Sequence, residues 1–428
     1  MPSCGPRVLI APNEDGYGTS AWTVRIARAL AAAGVEHIEV AVVTPRREAY
    51  HRLRHDPNRV TVTRLCGVEH WIELPKSKGT VDARLAVESL IPHYPRYRET
   101  YKREITPLLE RADLVIELGV PPMGFAVQRF PHLRRVTVFD HAWSHTLREM
   151  AELAGVPAGK ELELMRDDEA ASQDVWLFPE PITPRVYLEY WHDLISGSPR
   201  VLPGCFGGLS IGPARRLLGI PSSAQAVLIS ASGTPVWDGL LHRLVASFLA
   251  CEPEYFVVIN NRHHADRLGV HFRWHRTAAM PGIEAHLARV GATGRVLFLD
   301  AVRGDSYQAI IPAFDLILTR AGGGVVNDAI AFRVPLTLVQ EPGHTQVERI
   351  RHSCLDLGLA HSVSLEKFRR AGRRVIENSQ GQLHIPRVRA AMQKIPISAE
   401  QALTVDWLHA GLCGASLLAC RPAFLPAS

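Results

Sequence analysis

The stretch Asp315-Leu-Ile-Leu-Thr-Arg-Ala-Gly-Gly-Gly-Val-Val-Asn-Asp328 changes character twice within a few residues. Leu316–Thr319 is a short apolar run of the kind buried on both faces of a parallel sheet. Three glycines follow at 322, 323 and 324, and a helix is expected over Val325–Ala331. A glycine turn between strand and helix strips side chains from the backbone just where the helix presents unpaired N–H groups and the positive end of its dipole. Such a turn suits an anionic group, and a diphosphate fits its width. Asp328 lies one helical turn further in, where a carboxylate can accept a pair of ribose hydroxyls. The plain alternative is a turn whose glycines serve packing alone.

The neighbouring segments extend the pattern. Leu336–Val339 reads as the next buried strand, followed by Glu341-Pro-Gly-His-Thr-Gln-Val-Glu-Arg349. This loop enters a helix expected over Thr345–Leu357, with His344, Thr345, Gln346 and Glu348 grouped at its start. Upstream, strand Ala226–Ser230 opens into Ser230-Ala-Ser-Gly-Thr234, where Ser232, Gly233 and Thr234 offer amides and hydroxyls. Strands are also expected at Tyr255–Ile259 and Arg295–Leu299. Helices are expected at Leu240–Leu249, Gly282–Val290 and Ser306–Ile311. Strands alternating with helices predict a parallel, doubly wound sheet, with ligand-suited loops at the strands' carboxyl ends.

The first half repeats the plan. Arg7–Ala11 is an apolar strand, Pro12–Gly18 a turn, Ser20–Ala33 a helix closed by Gly34, and Ile38–Val43 a second strand. Ala112–Glu117, helix Phe125–Arg129 and strand Arg135–Phe139 follow, leading into Asp140-His-Ala-Trp-Ser144. Residues 196–223 are rich in glycine and proline and read as a linker. The expectation is an α/β protein of two Rossmann-like doubly wound domains, 1–203 and 209–390, facing across a crevice. A helical tail, 391–428, is expected to return to the first domain.

Composition narrows the class. Hydrophobic residues are 46% and charged residues 21%, a globular balance. A net charge of +5 is too mild to predict nucleic-acid binding and compatible with handling phosphates. The basic runs His132–Arg135 and Lys367–Arg370 read as solvated faces. Seven cysteines, at 4, 66, 205, 251, 354, 413 and 420, contain no CxxC pair, so neither zinc nor a disulfide framework is expected. Met1–Pro6 runs straight into a strand, and no apolar run is long enough to span a bilayer. A cytoplasmic protein with reduced thiols is expected.

The run Asp315–Ile350 resembles the donor half of the GT-B glycosyltransferases. The likeness is to the branch of the peptidoglycan N-acetylglucosaminyltransferase and the antibiotic and natural-product glycosyltransferases. The segments 214–234 and 112–144 are similar to other parts of that fold. The resemblance implies a hexosyl transfer from a nucleotide diphosphate sugar, UDP- or dTDP-linked, to a small-molecule or lipid-linked acceptor, inverting and without metal or other cofactor. It places the diphosphate on Gly322, Gly323 and Gly324, with Arg320 beside them. Asp328 stands for the family's ribose-binding glutamate, and Gln346 matches a family glutamine. Arg349 stands where asparagine is usual. Ala301 and Val302 fall where backbone holds the base. His344 and Thr345 complete the donor set.

An inverting transfer needs a base for the acceptor proton. The family's histidine, in the turn after the first strand, is absent from Asn13–Ser20. Asp15 is the first candidate and Glu14 the second, with Asp140 and His141 as alternatives. Other readings of the same fold are a sugar-nucleotide 2-epimerase or hydrolase and a noncatalytic partner. The segment Tyr94–Arg103 interleaves Arg96, Arg98, Lys102 and Arg103 with tyrosines, and is a candidate for membrane docking against the ordinary reading of an amphipathic helix.

Overall fold

The computed structural model describes residues 6–13, 17–32, 34–43, 60–68, 76–77, 80–119, 122–139, 142–171, 174–177, 200–201, 211–230, 255–260, 296–299, 310–371 and 385–394. The chain divides into two compact units and passes from one to the other between Cys205 and Phe206. The short segment Lys76–Val81 belongs to the second unit although it lies in the first half of the sequence.

The first unit contains β1 (Arg7–Pro12), α1 (Tyr17–Ala32), β2 (His37–Val42) and β3 (Val60–Arg64). After an antiparallel pair, β4 (Lys76–Ser77) and β5 (Thr80–Val81), come α2 (Ala83–Leu90), α3 (Tyr94–Leu109), β6 (Leu114–Leu118), α4 (Gly124–Arg129) and β7 (Arg134–Phe139). α5 (Trp143–Ala154), α6 (Lys160–Ala170), β8 (Asp174–Leu177) and β9 (Arg200–Val201) complete it. The sheet order is β3-β2-β1-β6-β7-β8-β9, every pair parallel. The order reverses direction between β1 and β6, the position where doubly wound sheets leave a crevice at their carboxyl edge.

The alternation of a strand's side chains explains why β1 is apolar throughout. Val8 and Ile10 pack with Trp22, Ile26 and Leu30 of α1 on one face. Leu9 and Ala11 pack with Tyr101, Ile105 and Leu109 of α3 on the other. A strand covered by helices on both sides has no polar face to offer.

Three buried carboxylates, Glu117, Asp168 and Glu169, tie the elements of this unit. Arg135 on β7 meets Glu117 on β6 at 2.7 Å, and both side chains are almost fully buried. Thr137 Oγ1 donates to the other Glu117 oxygen at 3.3 Å, and Arg135 Nη1 donates to the Ala171 carbonyl at 3.3 Å. The run His132–Arg135 is therefore solvated only in part: His132 is exposed, but Leu133 and Arg135 are interior, because β7 turns Arg135 toward its neighbour's carboxylate. On α6, Asp168 accepts from Tyr94 at 2.9 Å and from Arg98 at 2.6 and 3.0 Å. This hydrogen bond raises the Arg98 pKa, and burial, with the nearby carboxylate, lifts the Tyr94 phenol well above its ordinary value. Glu169 accepts from both the N–H and the hydroxyl of Ser144, fixing the start of α5. α4 comes so close to α6 that a Cβ on Gly124 would lie 2.7 Å from the Asp168 Cα, so only glycine fits there.

Tyr94 and Tyr101 of α3 are buried and Arg98 is bound to Asp168, so these three are turned into the unit, while Arg96 and Arg103 of the same helix are exposed. Among the described residues no helix is long and apolar enough to cross a bilayer.

The second unit contains α7 (Ile211–Leu218), β10 (Gln225–Ser230), β11 (Tyr255–Asn260), β12 (Val296–Leu299) and β13 (Leu316–Arg320). α8 (Gly323–Ala331), β14 (Leu336–Val339), α9 (Thr345–Asp356) and β15 (Ala360–Val363) follow. All strands are parallel in the order β12-β11-β10-β13-β14-β15, the dinucleotide-fold arrangement. Part of the expected linker 196–223 is regular structure, since β9 and α7 lie within it. Arg215 of α7 holds Asp315 at 2.7 Å and donates to the Ala313 carbonyl at 3.1 Å, which anchors the helix to the approach of β13. The expected helices Leu240–Leu249 and Gly282–Val290, and residues 395–428 of the expected tail, lie outside the described residues.

Candidate donor site

The order of the second sheet reverses direction between β10 and β13, so the turn after β13 opens at the switch point. Thr319 fixes this edge by donating its hydroxyl to the Ser230 carbonyl at 2.6 Å, across from β13 to β10. The continuation of β10, including Ser232, Gly233 and Thr234, lies outside the described residues, as do Ala301 and Val302 beyond β12.

The glycine turn is built as follows. Gly322 is the N-cap of α8 with φ −71° and ψ 134°, an extended conformation open to any residue. Its N–H bonds back to the Arg320 carbonyl at 2.8 Å, and its own carbonyl accepts the first helical bond, from Val326 N–H at 3.1 Å. The amides of Gly323, Gly324 and Val325 precede that bond, and no side chain caps them. None of the three glycines has positive φ. A Cβ on Gly322 or Gly323 would meet only ordinary contacts at 3.8–3.9 Å, and one on Gly324 would meet nothing within 4 Å. Neither backbone conformation nor packing against the protein requires glycine here. The absence of side chains instead leaves a row of helix-start amides uncovered.

Asn327 donates to the Gly323 carbonyl at 2.9 Å and is buried, while Asp328 beside it is partly exposed.

β14 runs beside β13 with Val339 opposite Arg320, so the loop after β14 lies next to the glycine turn. His344 is the N-cap of α9 and is buried; Thr345 and Gln346, in the first turn, are partly exposed. Burial lowers the pKa of the Arg349 guanidinium, one turn on. Two residues of the expected cluster have inward roles. Glu348 accepts from the Glu341 N–H at 2.6 Å and from Arg351 at 2.7 and 2.9 Å. Arg320 forms an ion pair with Glu341 at 2.9 Å, with both side chains almost fully buried.

The segment before α2 also reaches this loop. Gly343 N–H lies 3.3 Å from Thr80 Oγ1, and a Cβ on Gly343 would fall 1.7 Å from the Val81 carbonyl oxygen. Glycine is required there by close backbone approach. No local signal in the sequence links residues this far apart. Glu341 was likewise hidden: its partner is visible only once β13 and β14 are known to be neighbours.

Asp15, Glu14, Asp140 and His141 lie outside the described residues. Their flanks do not. Asn13 N–H bonds to the Leu118 carbonyl at 2.6 Å and Gly119 N–H to the Val138 carbonyl at 3.0 Å, so β1, β6 and β7 end side by side. Among the described residues no group of three or more His, Cys, Asp or Glu is placed to hold a metal ion.

No protein-family model matches the sequence, and no curated protein matches it. Solved structures do match along nearly the whole chain. The calicheamicin glycosyltransferase CalG4 covers 96% of this chain and 99% of its own, at 15% identity and a TM-score of 0.60. A UDP-glucose:anthocyanidin 3-O-glucosyltransferase in complex with UDP covers 92% and 94%, at 10% identity and a TM-score of 0.60. The glycosyltransferase VinC in complex with dTDP covers 95% and 98%, at 16% identity and a TM-score of 0.54. At these identities the likeness is one of fold. The chain has the GT-B fold, in which two Rossmann-like units are joined in one polypeptide.

Proposed function

We propose that the chain is a glycosyltransferase whose second unit binds a nucleotide diphosphate sugar on the Gly322–Gly324 turn. The observation that carries this reading is the turn itself: three glycines that neither φ nor packing demands, at the start of a helix with uncapped amides, at the sheet's switch point. Fold alone does not assign function. Here fold and site chemistry point the same way, and two of the solved relatives are complexes with UDP and dTDP.

In this reading the amides of Gly323, Gly324 and Val325 neutralise the diphosphate as it departs, which is the work a metal would otherwise do. Asp328 accepts the ribose hydroxyls. Thr345 and Gln346 face the sugar from the adjacent helix start. The acceptor binds in the first unit, and Asp15 takes its proton, with Glu14, Asp140 and His141 as alternatives. The transfer inverts the anomeric centre and uses no metal or organic cofactor.

The test is a thermal-shift and calorimetric panel of UDP, dTDP and GDP on the wild type and on Asp328→Ala. At least one nucleotide raises the wild-type Tm. The variant, which loses a partly exposed carboxylate, keeps its fold and binds that nucleotide about ten- to a hundredfold more weakly, the scale of one charge-assisted hydrogen-bond site at about 1.5–3 kcal/mol. A panel without any wild-type shift removes the donor reading.

A further inference from the structure

The strand end before the glycine turn and the loop beside it are joined by a buried charge pair. Arg320 closes β13, Glu341 lies in the loop after β14, and Nε stands 2.9 Å from Oε2 with the side chains 7% and 2% exposed. The β ladder already fixes the strands as far as Arg320 and Val339. The pair fixes the chain beyond them, where the ladder has ended.

Glu341 is held from a second side. Its N–H donates to Glu348 Oε1 at 2.6 Å, and Glu348 Oε2 receives Arg351 at 2.7 and 2.9 Å. Arg351 Nη1 lies 3.0 Å from Ser362 Oγ on β15. The polar relay thus runs from the end of β13 to β15, linking the approaches to both helix starts.

Stability gives little reason for such an arrangement. Desolvating two charges is costly, and an apolar pair of similar volume is commonly as stable or more so. Position gives a better one. The turn consists of Ala321 and three glycines, so it carries no large side chain whose packing could set its place against the loop. The buried charge pair does that instead.

We propose that Arg320 and Glu341 are positioning residues, which lock the glycine turn to the following loop so that both helix starts address one nucleotide diphosphate sugar as a single preset surface. The proposal rests on the donor reading above. Arg320 then acts through the loop and need not touch phosphate.

The test uses the full chain and calorimetric titration with UDP and dTDP. The variants are the double replacement Arg320→Met with Glu341→Leu, the isosteric Glu341→Gln, and Val258→Ala in the core of β11 as a control for stability alone. The double variant is expected to unfold within a few degrees of wild type yet bind at least tenfold more weakly, with Glu341→Gln also weakened. Val258→Ala lowers Tm and leaves affinity unchanged. An affinity loss in Glu341→Gln no larger than that of the control overturns the proposal, and this variant decides even if the double one fails to fold. If wild type binds neither nucleotide, the donor reading has failed and the pair's role falls with it. Wild-type binding with an indifferent Glu341→Gln removes the positioning role alone.

Discussion

Gly323→Ala and Gly324→Ala are expected to make the protein more stable and a much poorer binder of nucleotide diphosphates. Both residues sit inside α8 with helical geometry, and a methyl group has room at each. Replacing glycine by alanine at a compatible helical position stabilises by about 0.4–1 kcal/mol, through the lost freedom of the unfolded chain. A ligand that approaches the bare amides meets the new Cβ directly. Each single substitution should weaken binding at least tenfold, and the pair by about a hundredfold, the equivalent of about 2.7 kcal/mol. Gains in Tm with losses in affinity form a signature that a packing role cannot produce. If the glycines were there for the fold, stability would fall and binding would follow it down. Chemical denaturation and calorimetry on the same preparations separate the two outcomes.

The second large effect concerns the first unit. Arg135→Leu leaves the Glu117 carboxylate buried with only Thr137 Oγ1 as a remaining donor among its hydrogen bonds described above. Removing one member of a buried ion pair costs about 3–5 kcal/mol, most of it the penalty on the charge left behind. The first urea transition should move to markedly lower concentration. Replacing both residues, Arg135→Leu with Glu117→Leu, removes the stranded charge and should recover most of the loss. A single variant as stable as wild type would show that the pair is not the constraint its burial implies. Reading the first transition avoids treating a two-unit chain as one cooperative system.

Much of this architecture was legible because it obeys simple periodicities. The runs Arg7–Ala11, Leu316–Thr319 and Leu336–Val339 are continuous and apolar, which only strands covered on both faces require, and all three are strands. Strands at the sheet edges were harder to read. β3 is Val-Thr-Val-Thr-Arg and β15 is Ala-His-Ser-Val, half-polar because fewer neighbours cover them. The helix after the turn starts at Gly323 rather than Val325, since glycine's low propensity hides the helix start in the sequence. The charged residues misled most. Arg135 looks like part of a surface run and is interior, while Arg320 and Glu348, polar residues beside the expected ligand loops, also hold Glu341. A buried ion pair depends on which strands become neighbours, and that is a long-range fact. The same holds for Thr80 and Gly343, which meet across most of the chain's length.

The proposed donor side of the site therefore rests on a local motif, whose chemistry can be read without tertiary knowledge. The residues that hold the motif in place could be identified only from the fold. This division follows from the physics: amides at a helix start are fixed by a few adjacent residues, whereas desolvated charges need partners that the topology supplies.

Amide hydrogen exchange of the full chain with and without a saturating nucleotide diphosphate tests the central claim most directly. UDP and dTDP are the ligands to use. Protection should appear in peptides covering Gly322–Asp328, because the amides of Gly323, Gly324 and Val325 exchange freely until phosphate oxygens accept them. The same peptides from the Gly323→Ala, Gly324→Ala double variant should show none. Nucleotide binding without protection in this segment would place the diphosphate elsewhere and contradict the account.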